Sequence, residues 1–190
     1  AHPVDRGRRC ALPLAGGVAA WAACLRDPPP LDACFAAVDY AYPWSGLVAP
    51  FKFSGEPGWD AALAALMART PGLAGELASA DLLLPVPLAP RRLAERGFNQ
   101  ALLLARALRR DKVESQLLLR LRETGSQATL DRRARLANVQ DAFGVDPLRA
   151  GELRGAGDAR VQGHGELARV VVELAGPHGI AEAPARHRIG

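Results

Sequence analysis

The chain has 190 residues, which suffices for one domain with a hydrophobic core and a small appendage. Hydrophobic residues make up 49% and charged residues 23%, a composition that argues against a largely disordered chain. Because aromatic residues reach only 5%, the core must consist mainly of Ala, Leu and Val.

The net charge of +4 is unevenly distributed. Residues 91–135 contain 12 Lys and Arg against 5 Asp and Glu, a local excess of +7, so the remainder carries about −3. Such a basic segment is typical of a protein with a phosphate-rich partner, although a solvated helix face has the same composition.

The first 34 residues are irregular and rich in Pro, Gly and Arg, which predicts a small appendage followed by a stiff proline connector. Arginines before the apolar stretch at 10–25 resemble a signal peptide, but Pro13 and Gly16 interrupt that stretch. No segment approaches the length of a transmembrane helix. We therefore expect a cytoplasmic protein without a membrane span.

The next elements are predicted from residue content. The Val and Tyr residues of 35–42 favour a strand. A helix or turn is expected over 47–53, and a loop over 55–58. Residues 59–69, dominated by Ala, Leu and Met, favour a helix.

The second half begins with three leucines within 81–86, which favour a buried strand of a parallel sheet. Apolar residues recur on one face over 98–110, as in an amphipathic helix. Residues 115–143 are polar and basic, and 169–174 suit a strand or a buried helix turn. Strands that alternate with helices predict an α/β domain with a mainly parallel sheet.

The strongest motif runs from Asp81 to Gln100. It combines the predicted strand, a loop stiffened by Pro85 and Pro87, and a basic turn that opens a helix. Ligands of parallel sheets collect at the carboxyl ends of strands. Arginines and helix amides at such a loop suit an anion.

Two blocks of the sequence resemble the signature of the ComF family. The first block combines Pro85-Val86-Pro87 with Arg96-Gly97-Phe98-Asn99-Gln100. The second block runs from Arg120 to Leu130 and continues through Arg135–Asn138 to Ala142-Phe143. Because both long motifs occur in the right order, chance agreement is a poor explanation.

Upstream, Tyr40–Tyr42 and Phe51-Lys52-Phe53 with Gly55 resemble the opening strand and the Lys-containing segment of that family. The resemblance covers roughly residues 8–150. It implies a type I phosphoribosyltransferase-like α/β fold, with a mainly parallel sheet, flanking helices and a small irregular N-terminal appendage. It also implies a role in DNA uptake during natural competence, with single-stranded DNA handled beside a helicase-like partner.

The resemblance further implies which residues bind phosphate or nucleic acid. The arginines proposed to contact phosphate are Arg91, Arg92, Arg96, Arg120, Arg122, Arg132, Arg133 and Arg135. The other residues of the predicted site are Lys52, Pro85, Val86, Pro87, Gly97, Asn99, Gln100, Gln127 and Asn138. The alternative is that the four amide side chains tie loops to the backbone and that most of the arginines are simply solvent-exposed.

Three cysteines lie near the N-terminus, and their odd number argues against a closed disulfide framework. ComF relatives commonly carry a zinc ribbon of two Cys-x-x-Cys pairs. Here each pair lacks its first cysteine, which leaves Cys10 and Cys24 as weak metal candidates, with His2 as a remote further ligand. A structural zinc site takes four ligands, so we expect no metal, and we expect Cys34 to be a small buried residue.

The C-terminal part departs from the phosphoribosyltransferase pattern, which needs an acidic pair after an apolar strand and a Thr/Gly turn for the 5-phosphate. After residue 150 the sequence has no Asp-Asp pair and no Thr, and Gly163-His164-Gly165 is the nearest candidate turn. His164, His178 and His187 are expected to be incidental. We hypothesise that residues from about 155 onward come from a frameshifted or degenerate coding region.

These patterns predict three parts: a degraded zinc-ribbon-like appendage at 1–34, a phosphoribosyltransferase-like domain at 35–154 and an atypical tail at 155–190. The expected function is that of a competence or DNA-uptake accessory protein that binds phosphates of single-stranded DNA or a nucleotide, without catalysis. The alternatives are an active phosphoribosyltransferase (a glycosyltransferase) acting on phosphoribosyl pyrophosphate and a non-functional copy. No cofactor is expected, and magnesium only with phosphoribosyl pyrophosphate.

Overall fold

The computed structural model shows a parallel pair of strands with helices packed against it. The structure describes most of the chain up to residue 152 and one later strand. The described residues are 5–16, 18–28, 32–53, 56–124, 134, 137–138, 141–152 and 169–172.

Within these ranges helices are more numerous than strands. The α-helices are α1 (Ala22–Arg26), α2 (Trp44–Phe53), α3 (Asp60–Ala68), α4 (Leu73–Ser79), α5 (Pro90–Arg96) and α6 (Gln100–Arg109). The strands are β1 (Leu82–Pro85), β2 (Leu118–Arg120), β3 (Phe143–Val145) and β4 (Arg169–Val172). Short 3₁₀ turns occupy Pro57–Trp59 and Arg110–Lys112.

Strand β1 pairs with two other segments of the chain. It pairs in parallel with β4, with Leu83 opposite Val170. Leu83 also forms a parallel bridge with Val113, and its carbonyl accepts a hydrogen bond from the Glu114 backbone N–H at 3.0 Å. The strand predicted at 81–86 is therefore confirmed, and 169–174 contains a strand rather than a helix turn.

The leucines of β1 are buried on both faces of the strand. Leu83 packs in a cluster with Phe51, Leu63 and Leu104, whereas Leu84 packs with Leu117 in a second cluster. A strand covered on both faces needs consecutive apolar residues, which is why its sequence does not alternate.

The helices predicted at 59–69 and 98–110 are confirmed as α3 and α6. Helix α6 buries Leu104 and Ala105, while Arg106 and Ala107 are exposed, as the amphipathic pattern indicates. Its buried face packs mainly against α3 and β1. Helix α2 begins at Trp44, three residues before the predicted start.

The prediction of a strand over 35–42 was wrong, because these residues form bends and turns. Phe35 and Tyr40 instead pack individually against the core that contains Leu83. Asp39 turns away and pairs with Arg6 of the appendage, with Nη1 and Oδ1 2.9 Å apart. Tyr42 is 92% exposed, and no neighbouring strand pairs with this backbone in the described structure.

Segments outside the predicted central domain contact it. β4 falls within the predicted tail at 155–190, yet it forms the parallel pair with β1. Arg6 of the predicted appendage pairs with Asp39 of the predicted domain, with Nη1 and Oδ1 2.9 Å apart. The three-part division remains a prediction. In the part of the chain that the structure describes, no helix has the length and apolar character needed to cross a membrane.

Candidate phosphate-binding site

The carboxyl end of β1 leads into a short loop that is held against α6. Pro85 is buried, and Val86 and Pro87 are half-buried. The Val86 carbonyl accepts a hydrogen bond from Asn99 Nδ2 at 3.0 Å. The predicted proline loop therefore lies beside the N-terminus of α6.

Gly97 and Asn99 shape the turn between α5 and α6. Gly97 has φ +78°, a left-handed conformation that favours glycine and ends α5. Asn99 Oδ1 accepts hydrogen bonds from the backbone N–H groups of Ala101 at 2.9 Å and Leu102 at 3.3 Å, and so caps α6. The interpretation of Asn99 as a residue that ties a loop to the backbone is confirmed.

Gln100 joins three segments that are separate in the sequence. Its side chain is buried, with 3% of the residue exposed. Nε2 donates to the carbonyls of Phe51 at 3.4 Å and Lys52 at 3.2 Å, at the end of α2. Oε1 accepts from Arg96 Nη1 at 3.2 Å. The backbone of the Lys52 segment and the Arg96 guanidinium of α5 thus both bind the Gln100 amide.

Arg92 and Arg96 lie one turn apart on α5, and both are half-buried. The pKa of Arg96 is lowered by its burial and by the charge of Arg92, with Glu95 acting in the opposite direction. Arg92 has no ion-pair partner among the described residues. We call Arg92 and Arg96 the basic cluster, to which Gln100 ties the backbone carbonyl of Lys52. Two adjacent guanidinium groups in such a setting attract an anion.

Arg91, the first arginine of α5, has a different environment. Its exposed Nε donates to Glu95 Oε1 at 2.9 Å. This hydrogen bond, with the charges of Glu95 and Glu123, raises the pKa of Arg91. The Arg91 backbone N–H also faces Glu123 Oε1 at 3.4 Å, which brings the two sequence blocks together. Acidic neighbours therefore balance the charge of Arg91.

Arginines of the second block contact the hairpin that β2 and β3 form. Arg120 Nε donates to the Arg122 carbonyl at 3.2 Å, and its guanidinium lies 5.0 Å from the centre of the Phe143 ring. Arg120 Nη2 also donates to the Thr124 hydroxyl. Arg122 Nη2 donates to the Asn138 carbonyl at 3.3 Å. These contacts hold together the base of the connection between β2 and β3.

Some predicted site residues lie outside the described part of the chain. They are Gln127, Arg132, Arg133 and Arg135. A cavity of about 450 Å³ lies elsewhere, between α3, α4 and α6, and is lined mainly by alanines. It contains none of the predicted site residues, and the basic cluster remains the candidate site.

Named proteins resemble this chain over most of its length. DNA utilization protein YhgH of Escherichia coli strain K12 is 34% identical over 148 residues, which cover 73% of this chain and 63% of that protein. The protein of the same name from Salmonella typhimurium is 35% identical over 144 residues, with the same coverage. Competence protein F of Haemophilus influenzae is 31% identical over 128 residues, which cover 64% of this chain and 56% of that protein.

These similarities support a ComF-like family. The chain spans 63% of the length of the YhgH relatives that it matches. No family model and no solved structure matches the chain.

The three N-terminal cysteines lie close together, with Cys10 acting on both others. Cys10 is buried, and it contributes to the environment of both other thiols. Burial and the neighbouring Cys10 raise the pKa of Cys24, and the same two causes raise the pKa of Cys34 to about 11. Three thiols do not complete a four-ligand zinc site. Among the described residues, no group of three His, Cys, Asp or Glu side chains is arranged to hold a metal ion.

The sequence analysis did not predict that two glutamates of this ComF-like basic segment pair with only some of its arginines. Glu95 and Glu123 balance Arg91, so Arg92 and Arg96 are electrostatically distinct from their neighbour. The i,i+4 spacing of Arg91 and Glu95 on a helix is a sequence signal for the first pair. The contact with Glu123 joins positions 32 residues apart and has no local signal.

Proposed function

We propose that this chain binds phosphate groups of single-stranded DNA or of a nucleotide through the basic cluster. The observation that carries the proposal is the pair of half-buried guanidinium groups of Arg92 and Arg96, one turn apart on α5. Their mutual repulsion is relieved when a phosphate lies between or beside them. Gln100 adds the segment of Lys52 to the same place.

The position of the cluster in the fold supports this proposal. Helix α5 follows the carboxyl end of β1, which is paired in parallel with β4. Crevices at the carboxyl ends of parallel strands are common ligand sites. The relatives are named for DNA utilization and for competence, which agrees with a nucleic-acid ligand. We further propose a cytoplasmic accessory role in DNA uptake, beside a helicase-like partner.

An equilibrium titration of the full chain with a fluorescent oligothymidylate tests the proposal. We expect weak binding whose affinity falls steeply as salt increases, because each neutralised phosphate releases counterions. Binding that does not respond to salt, or no binding at low salt, would contradict it. The same oligothymidylate annealed to its complement is titrated under identical conditions, so that affinities for single-stranded and duplex DNA can be compared.

A second candidate function is phosphoribosyl transfer in a type I phosphoribosyltransferase-like fold. The parallel pair of β1 and β4 beside a basic loop favours it. The sequence after residue 150 has neither an Asp-Asp pair nor a Thr for a ribose-phosphate loop, and we therefore propose that the chain is catalytically inactive.

Calorimetry separates the two candidates. In the presence of magnesium, an inactive basic cluster should bind inorganic pyrophosphate and phosphoribosyl pyrophosphate about equally. A ribose-phosphate site should prefer phosphoribosyl pyrophosphate by about tenfold, or about 1.4 kcal/mol. That preference, or release of pyrophosphate when a purine or pyrimidine base is added, would establish the second candidate.

A further inference from the structure

Gln100 is the buried polar side chain of the described structure. Only 3% of the residue is exposed, and the surrounding core contains Phe51, Leu104 and Ala105. Burying an amide among apolar residues is unfavourable unless its hydrogen-bonding groups find partners. Here both ends of the amide have partners, so its contacts explain why a polar residue occupies this position.

The two ends of the amide face different segments. Nε2 donates to the Phe51 and Lys52 carbonyls of α2, at 3.4 and 3.2 Å. Oε1 accepts from Nη1 of Arg96 on α5, at 3.2 Å. A carboxylate in place of the amide would repel the two carbonyls, and an apolar side chain would leave all three groups without this partner. The site therefore requires a donor and an acceptor on one side chain.

We propose that Gln100 is a positioning residue that sets the direction of the Arg96 guanidinium and holds the Lys52 segment beside it. This inference rests on the proposed function, because it assigns Gln100 an indirect role in the same phosphate-binding site. Arg96 is half-buried and lies next to the positive charge of Arg92, and both its burial and that charge lower its pKa. The Gln100 acceptor holds Nη1 of the guanidinium at this place.

The test replaces Gln100 by Met, which has similar length and no hydrogen-bonding amide. Leu104→Val, one turn later on α6 and in the same core cluster, is the matched control for core perturbation. We expect Gln100→Met to weaken oligothymidylate binding by about tenfold, the lower end of the effect of losing a hydrogen bond to a charged group. The slope of log affinity against log salt should decrease by about 0.7, as for one lost phosphate contact. Leu104→Val should change neither quantity.

A double-mutant cycle shows whether the effect passes through Arg96. In the Arg96→Ala background, Gln100→Met should have little further effect on oligothymidylate affinity. If the two effects are instead independent, Gln100 does not act through Arg96. If Arg96→Ala weakens binding and Gln100→Met does not, the inference is wrong while the proposed function stands.

A measurement without ligand keeps the inference testable if the wild-type chain does not bind DNA. The NMR order parameter of the Arg96 Nε–Hε group should fall in Gln100→Met and stay unchanged in Leu104→Val. An unchanged order parameter in both variants would overturn the inference. If Gln100→Met fails to fold by circular dichroism, Gln100→Asn replaces it in every arm. It keeps the amide but is one methylene too short to reach both segments.

Discussion

The segment from α5 to α6 and the hairpin of β2 and β3 are both basic, yet they use their arginines differently. On α5, Arg92 and Arg96 lie side by side with like charge. In the hairpin, Arg120 contacts the Phe143 ring and the Arg122 carbonyl. The two regions therefore differ in how their arginines are grouped and partnered, although both are basic. We infer that the first region binds phosphate and that the second shapes the hairpin.

The largest expected effect comes from removing the two neighbouring charges of α5. Arg92→Ala with Arg96→Ala should weaken oligothymidylate binding on the order of a hundredfold at low salt, because each charged hydrogen bond contributes about 1.5–3 kcal/mol. Fluorescence anisotropy at one fixed salt concentration measures this change.

Arg91→Ala is the control for that double variant. Because Glu95 and Glu123 balance the charge of Arg91, its removal should weaken binding far less than either single change at Arg92 or Arg96. If Arg91→Ala weakened oligothymidylate binding as much as Arg92→Ala or Arg96→Ala, then Glu95 and Glu123 would not set Arg91 apart from the other two arginines.

The next effect concerns the scaffold of the basic cluster. Asn99→Ala removes the cap of α6 and the bond to the Val86 carbonyl, and should lower the free energy of unfolding by about 1–2 kcal/mol. Asn99→Ser keeps a capping oxygen without placing a carboxylate against the Val86 carbonyl, so it should lose less stability. Urea unfolding measures both variants. A larger loss for Asn99→Ser than for Asn99→Ala would contradict the capping role.

The hairpin should respond more weakly. Arg120→Ala removes the contact with Phe143 and the bond to the Arg122 carbonyl, and should lower the free energy of unfolding by about 0.5–1 kcal/mol. Oligothymidylate affinity should stay close to that of the wild type. A strong loss of affinity with unchanged stability would place Arg120 in the binding site.

The smallest effect is a pH dependence beside the hairpin. Hydrogen bonds from Arg149, at 3.0 and 2.8 Å, lower the pKa of Glu114 from its ordinary value of 4.5, and burial partly opposes them. A carboxylate with a depressed folded-state pKa stabilises the fold above its unfolded pKa, and this contribution disappears as pH falls through the folded value. Arg149→Met should therefore be less stable than the wild type at neutral pH, and the difference should shrink below about pH 4.

Denaturant unfolding at several pH values, with an NMR titration of Glu114, measures that dependence. The pKa of Glu114 should move back toward its ordinary value in Arg149→Met. A stability difference that is constant from neutral to acid pH would show that the ion pair does not contribute through charge.

Local patterns predicted the parts of the fold that depend on local physics. The leucines of β1 and the amphipathic face of α6 identified both elements, because a strand buried on both faces has a continuous apolar run and a half-buried helix has apolar residues on one face. The strand expected over 35–42 was wrong, since Phe35 and Tyr40 pack individually against the core and the described backbone there has no strand partner.

The sequence could not predict which basic residues lie together in the candidate site and which pair elsewhere. Gln100 and Lys52 are 48 residues apart, and no spacing rule predicts their hydrogen bond. The 12 Lys and Arg residues counted over 91–135 also include side chains that form ion pairs or hydrogen bonds within the fold. Arg109 pairs with Asp111, and Lys112 Nζ donates to carbonyls at the end of α4, including that of Ala80 at 2.6 Å. Counting charges pointed to the segment proposed to bind phosphate but did not separate its members by their partners.

The most direct test compares two double variants that remove the same charge from the two regions. Arg92→Ala with Arg96→Ala, and Arg120→Ala with Arg122→Ala, each lower the net charge by two, and oligothymidylate affinity is measured across a salt series for both. The account predicts that the first variant reduces the slope of log affinity against log salt by about 1.4, or about 0.7 for each lost phosphate contact, whereas the second leaves it near the wild-type value. Equal reductions in both variants, or a larger reduction in the second, would contradict it.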